Sequence, residues 1–215
     1  MRQDLTDITV VTDRSGSMST CKQEAENGLN HFIEEQKKQP GSALFSLVQF
    51  DTEYEFLYRG VPIESVARYR LIPRGMTALL DAVGRAVNET GARLREMAEA
   101  DRPGLVIFVI VTDGQENSSH EFTKAQIKEM IEHQQKDYAW QFTFLGANQD
   151  AFAEAHSMGI QGASVQFMNA TAQAAYTGAS ANVSRMRGMS SVGAEVKNFY
   201  TQEEQDKMSG NKTTS

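Results

Sequence analysis

Leu105-Val106-Ile107-Phe108-Val109-Ile110-Val111 is an unbroken run of large apolar residues, bounded by Pro103-Gly104 before it and Thr112-Asp113-Gly114 after it. A strand with one wet face alternates apolar and polar side chains. A continuous run bounded by turn residues and rich in β-branched residues instead predicts a strand covered on both faces. Such strands belong to parallel sheets flanked by helices, so this one stretch directs the chain to the α/β class. It is also far shorter than the ~18 apolar residues of a membrane span.

The rest of the chain supplies the alternation that a parallel sheet needs. Ile8, Val10 and Val11 form a second buried run, which ends on Asp13 and a turn. From Thr20 to Lys38 the apolar positions Ala25, Leu29, Phe32 and Ile33 fall at helical spacing, and Pro40-Gly41 breaks the chain. The runs ALFSLVQF and YEFLY are separated only by Asp51, Thr52 and Glu53, too few residues for a crossover, which predicts an antiparallel hairpin with YEFLY at the sheet edge. Leu80, Val83, Val87, Leu94 and Met97 predict a helix over Thr77 to Ala100. A helix over Thr123 to Lys136, a strand WQFTFLG, a short helix from Asp150 to Met158 and a strand SVQFM complete the series. The expected fold is a doubly wound, Rossmann-like, mostly parallel six-stranded sheet with one antiparallel edge strand and helices on both faces. Residues 1–200 are expected to form a single domain, closed by a C-terminal helix that carries Ala172, Ala175, Ala179, Val183 and Met186; residues 201–215 are expected to be a polar, disordered tail.

Bulk properties remove several function classes. A formal charge of -7 and a pI near 5.2 argue against binding to nucleic acid phosphates, which calls for a basic surface. A single cysteine, Cys21, permits no intrachain disulfide and fits a reducing compartment. With neither a secretory leader nor a membrane segment in the pattern, the expected location is cytoplasmic.

In an open α/β sheet, ligands bind beyond the carboxyl ends of the strands, where the winding reverses. Two predicted strands end there on aspartates. Asp13-Arg14-Ser15-Gly16-Ser17 sets a carboxylate and two hydroxyls on alternate residues of a tight turn, so three oxygens can converge. These are hard donors, suited to Mg²⁺, with Mn²⁺ or Ca²⁺ as alternatives, and unlike the softer sites of zinc or copper.

With Thr77 in RGMTALLDAV and Asp113 in VTDGQEN, this segment resembles the three separated parts of the metal-ion-dependent adhesion site of the von Willebrand factor A family. The likeness runs from about Ile8 to Met168 and is unbroken at Asp13, Ser15, Ser17, Thr77 and Asp113. It implies that Ser15, Ser17 and Thr77 meet an ion through hydroxyls, that Asp13 and Asp113 meet it directly or through water, and that the two aspartates lie on neighbouring strands. It further implies a non-enzymatic module in which a partner protein's acidic residue completes the ion's shell. Small intracellular members of this kind resemble components of bacterial or phage assembly, stress and AAA-ATPase-linked systems, with no nucleic acid or membrane involved.

Other polar residues have plainer readings. Asp51, Glu116 and Asp150 are expected to be solvated loop carboxylates, and His120, His31, His133 and His156 surface residues. Arg68, Arg70 and Arg74, just before Thr77, are candidates for a surface that selects an acidic partner. Met186, Met189 and Met208 are expected in the core or tail rather than in an adaptable contact face. One rival reading is a metal-dependent phosphatase-like hydrolase using Asp13, but such enzymes place a second aspartate two residues on, where Ser15 stands here. A second rival is a structural assembly subunit whose metal only stabilises it. No Gly-x-Ser-x-Gly elbow and no Gly-rich phosphate loop is present.

Overall fold

The computed structural model describes residues 1–147 and 151–210. Its sheet contains β1 (Arg2–Asp13), β2 (Ser42–Phe50), β3 (Tyr54–Pro62), β4 (Pro103–Thr112), β5 (Gln141–Gly146) and β6 (Ser164–Gln166) in the order β3-β2-β1-β4-β5-β6. All neighbours pair in parallel except β2 and β3, the expected antiparallel hairpin. The chain winds outward from β1 through β2 to one edge, then from β4 through β5 to the other. The reversal therefore falls between β1 and β4, whose ends carry Asp13 and Asp113.

Period-two alternation sends the apolar side chains of β4 to opposite faces. Ile107, Val109 and Val111 pack with Leu29, Phe32, Tyr176 and Val183 under α1 (Lys22–Lys37) and the C-terminal helix α5 (Ala172–Ser191). Val106, Phe108 and Ile110 pack with Val83, Val87, Ile127 and Ile131 under α2 (Leu79–Glu96) and α3 (Lys124–Tyr138), joined at one end by α4 (Ala151–Ser157). Both sides of the apolar run are covered, as its composition requires.

Among the boundaries that differ from the sequence reading, two have a plain physical cause. The helix expected over Thr77 to Ala100 spans Leu79 to Glu96, because Met97 and Ala98 turn to extended backbone. The tail expected from residue 201 instead begins with a helix, α6 (Gln202–Ser209). Its start is a capping box: the Glu204 N–H donates to the Thr201 hydroxyl at 3.2 Å and the Thr201 N–H to Glu204 Oε2 at 2.8 Å. Met208 on α6 is buried against α5 at Gly178, where a Cβ would come within 2.5 Å of its sulfur. Residues 211–215 and Asp150, with the expected start of the short helix, lie outside the described residues. Among the described residues, no helix is long and apolar enough to cross a membrane.

Candidate metal centre

Asp13 is the last residue of β1 and is fully buried. One of its oxygens accepts the Ser15 N–H at 2.6 Å, an Asx turn that folds the loop back over the strand end. The other accepts the Thr112 hydroxyl at 2.6 Å, from the neighbouring end of β4. The loop then brings Ser15 Oγ to 3.0 Å from Ser17 Oγ, and Ser17 Oγ donates to Asp113 Oδ1 at 2.7 Å. Ser17 has one hydroxyl proton, which Asp113 takes, so Ser15 is the donor in the pair of serines. The protons of both hydroxyls thus run towards the Asp113 carboxylate.

Thr77 comes from a third segment. Its N–H donates to Asn117 Oδ1 at 3.0 Å and its carbonyl accepts the Asn117 N–H at 3.0 Å. The loop after β4 also caps α2, with Leu80 N–H donating to Glu116 Oε2 at 3.0 Å and Asp81 N–H to Ser119 Oγ at 3.1 Å. Gly114 closes this cradle, for a Cβ there would lie 2.8 Å from Thr77 Oγ1 and 3.4 Å from Ser17 Oγ. The gathered donors are thus two carboxylates and three hydroxyls from residues 13–17, 77 and 113. Ser17 opens to solvent while Asp13, Ser15 and Thr77 are buried.

Burial pushes the Asp13 carboxyl up to about 6, with the charge of Asp113 adding to the effect and the Thr112 hydroxyl and Ser15 groups opposing it. Burial likewise raises Asp113 above its ordinary value, against the hydrogen bond from Ser17. Two carboxylates short of water and close to each other favour a bound cation. Two carboxylates and three hydroxyls are all oxygen donors, a set that suits a hard divalent ion.

The metal loop is anchored from outside by charges that sequence reasoning misjudged. Asp51, expected to be solvated, is buried; it accepts Arg14 Nε at 2.9 Å, Arg74 Nε at 2.7 Å and the Glu53 N–H at 2.6 Å. Burial alone would raise its carboxyl, but these donors outweigh it and hold Asp51 below the usual carboxylate range. Arg14, between two site residues in sequence, is also buried and reaches Glu55 at 3.0 Å. Arg74, a candidate for the partner surface, is committed to Asp51 and Glu53 instead. The backbone joins the same elements, with Arg74 N–H donating to the Arg14 carbonyl at 2.8 Å and Gly16 N–H to the Gly75 carbonyl at 3.2 Å. Glu116 is a helix cap rather than a free carboxylate. His120 is exposed, and its N–H donates to Asp81.

Several solved structures are similar in fold to this chain over most of its length. A von Willebrand factor type A protein from Catenulispora acidiphila aligns with TM-score 0.63 and 16% identity, covering 84% of this chain and 42% of that one. The chain has the von Willebrand factor A fold. Proximal thread matrix protein 1 of the mussel byssus, solved with a zinc-occupied MIDAS motif, aligns with TM-score 0.55 and 13% identity over 80% of this chain and 46% of that one. The manganese-loaded TRAP protein of Plasmodium vivax aligns with TM-score 0.54 and 16% identity over 81% and 73%. The chain spans less than half the length of the first two. At the level of sequence, no family model and no curated protein matches. Within the von Willebrand A fold, the position of the cluster follows from topology, because β1 and β4 adjoin at the winding reversal.

Proposed function

We infer that this chain is a divalent-metal-dependent protein-interaction module, in which Asp13, Ser15, Ser17, Thr77 and Asp113 hold Mg²⁺ or Mn²⁺ and a carboxylate from a partner protein completes the shell. The observation that carries this reading is the convergence of those oxygens from three distant segments onto one partly open pit, continuous with Gly114. The bound ion would supply a positive charge with a position left for an outside oxygen. The chain's own part is to hold two carboxylates and three hydroxyls around it. With only two carboxylates against a dication, an incoming acid meets no excess of negative charge. The metal-bearing neighbours support a divalent ion, and a matrix protein among them fits an adhesive role. A non-enzymatic role is consistent with Ser15 standing where a phosphatase-type acid would be needed.

Titration calorimetry with Mg²⁺ and Mn²⁺ tests the site. Saturable binding of one ion, lost in Asp13→Ala and Ser15→Ala, is expected. Capture of partner proteins that is equal with and without chelator would remove the adhesion reading. Metal-dependent hydrolysis of generic phosphate esters, abolished in Asp13→Asn, would overturn the non-enzymatic one.

A further inference from the structure

The segment that leads into Thr77 is built as a binding edge. Residues 66–74 belong to no helix or strand, yet α1 fixes them at regular intervals. Lys37 Nζ donates to the Val66 carbonyl at 2.9 Å, Asn30 bonds both the N–H and the carbonyl of Tyr69 at 2.7 and 2.9 Å, and Glu26 accepts the Leu71 N–H at 3.0 Å. The segment therefore runs along α1 from its C-terminal to its N-terminal end. It reaches the metal loop where Arg74 meets Arg14 and Gly75 meets Gly16.

From Arg68 to Ile72 exposure alternates with period two: Tyr69 and Leu71 point into the core, whereas Arg68, Arg70 and Ile72 are exposed; beyond the half-buried Pro73, residues Arg74, Gly75 and Met76 are all exposed. Ile72 is 62% and Met76 53% exposed, both large apolar side chains close in sequence to Thr77. Arg74 is neutralised by Asp51 and Glu53, but Arg68 touches only Asn27 and Arg70 has no partner among the described residues. Two unneutralised guanidiniums on a chain of net charge -7 form a local positive strip. The backbone repeats the pattern: Tyr69 and Leu71 spend their N–H groups on α1, while those of Arg68, Arg70 and Ile72 donate to nothing among the described residues. Unused donors on alternate residues of an extended segment make an edge to which another extended chain can add.

We propose that residues 68–72 are a docking edge for an extended segment of a partner protein, a segment of alternating acidic and aliphatic side chains that continues past the exposed Met76 towards the ion. At ~3.3 Å per residue the edge from Arg68 to Ile72 is about 13 Å long, room for roughly five partner residues. Partner carboxylates pair with Arg68 and Arg70, and aliphatic side chains cover Ile72 and Met76. The proposal rests on the metal-site reading for the terminal carboxylate, while the edge itself stands on its own geometry.

A random peptide library displayed on phage, panned against the intact protein in Mn²⁺, tests it. Enriched peptides are expected to alternate acidic and aliphatic residues. A synthetic member should bind about tenfold more weakly to Arg68→Ala/Arg70→Ala, and similarly to Ile72→Ser/Met76→Ser, with melting temperatures unchanged. The absence of enrichment, a consensus lacking acidic residues, or equal binding to these variants would overturn the proposal. Binding that persists in chelator and in Asp13→Ala but is lost in the arginine variant upholds the edge and removes the metal reading. Binding that needs Mn²⁺ but ignores all four substitutions does the reverse.

Discussion

Gly114→Ala is the smallest change that interrogates the candidate metal centre. Gly114 is outside the left-handed region, so alanine meets no backbone strain there and the effect is steric. Its methyl would sit 2.8 Å from Thr77 Oγ1, well inside the ~3.5 Å of relaxed contact, so the hydroxyl must retreat by roughly 0.7 Å. Thr77 is held by Asn117 on both its N–H and its carbonyl, so the side chain has to yield by leaving its rotamer. Metal sites tolerate ligand shifts of about 0.2 Å, and a misplaced ligand set costs ~10 to 100-fold in affinity. At an ion concentration of ~100 times the wild-type Kd, binding adds about 2.7 kcal/mol of stability, which for a domain of this size raises Tm by roughly 5 to 10 °C. A 100-fold weaker variant gains only ~0.4 kcal/mol, about 1 °C. Scanning calorimetry with Mn²⁺ and with chelator measures both shifts. A Gly114→Ala protein whose Mn²⁺ shift equals that of wild type would refute the assignment of Thr77 to the ion, whereas a drop in chelator alone reports the clash.

Two further substitutions probe the surrounding frame. Asp51→Ala leaves Arg14 buried with only the exposed Glu55 and, at 3.9 Å, Glu53 to pair it, and should cost about 3 kcal/mol in urea unfolding in chelator, the lower end for breaking a buried pair; a loss under ~1 kcal/mol would mean that water reaches the guanidinium. Asp81 accepts the N–H groups of His120, Glu121 and Phe122, which outweigh burial and hold its carboxyl below the usual range. A depressed folded pKa contributes stability that is present above the unfolded value near ~3.9 and is lost as pH falls through the folded one. The deficit of Asp81→Ala, about 1 to 3 kcal/mol, should therefore be constant from pH 5 to 7 and shrink below about pH 4 in unfolding curves. A deficit that instead grows in acid would contradict the hydrogen-bond account.

The strands and the aspartates that close two of them were legible because their signals are local, whereas Thr77 joined the candidate ligands through a family resemblance. An uninterrupted apolar run fixes a doubly covered strand, and an aspartate at its end lands at the sheet's carboxyl edge wherever the neighbours fall. The frame around the site was less legible, since it depends on long-range pairing. Asp51 looks like a turn residue in sequence, and only the proximity of Arg14 and Arg74 makes its burial affordable. The Asn117 bond to Thr77 likewise joins two loops with no sequence periodicity between them. The α6 helix is a different case. Thr201-x-x-Glu204 is a capping-box signature that was present in the sequence, but the polar residues after it hid the two anchors that bind the helix to α5, buried Met208 and the ion pair of Glu204 with Arg185.

The direction of the hydroxyl protons in the pit has its own consequence. Because Ser15 gives its proton to Ser17 and Ser17 gives its own to Asp113, neither serine aims a hydrogen at the space in front of the loop. Among the described residues, Ser15 Oγ then accepts no hydrogen bond and Ser17 Oγ only one, so each keeps a lone pair for a further partner. The Asp113 carboxylate thereby sets the polarity of two neighbouring hydroxyls as well as contributing charge. An amide in its place would keep the shape of that side chain, yet by turning its NH₂ towards Ser17 it could reverse the whole row, leaving hydrogens where a cation needs electron pairs.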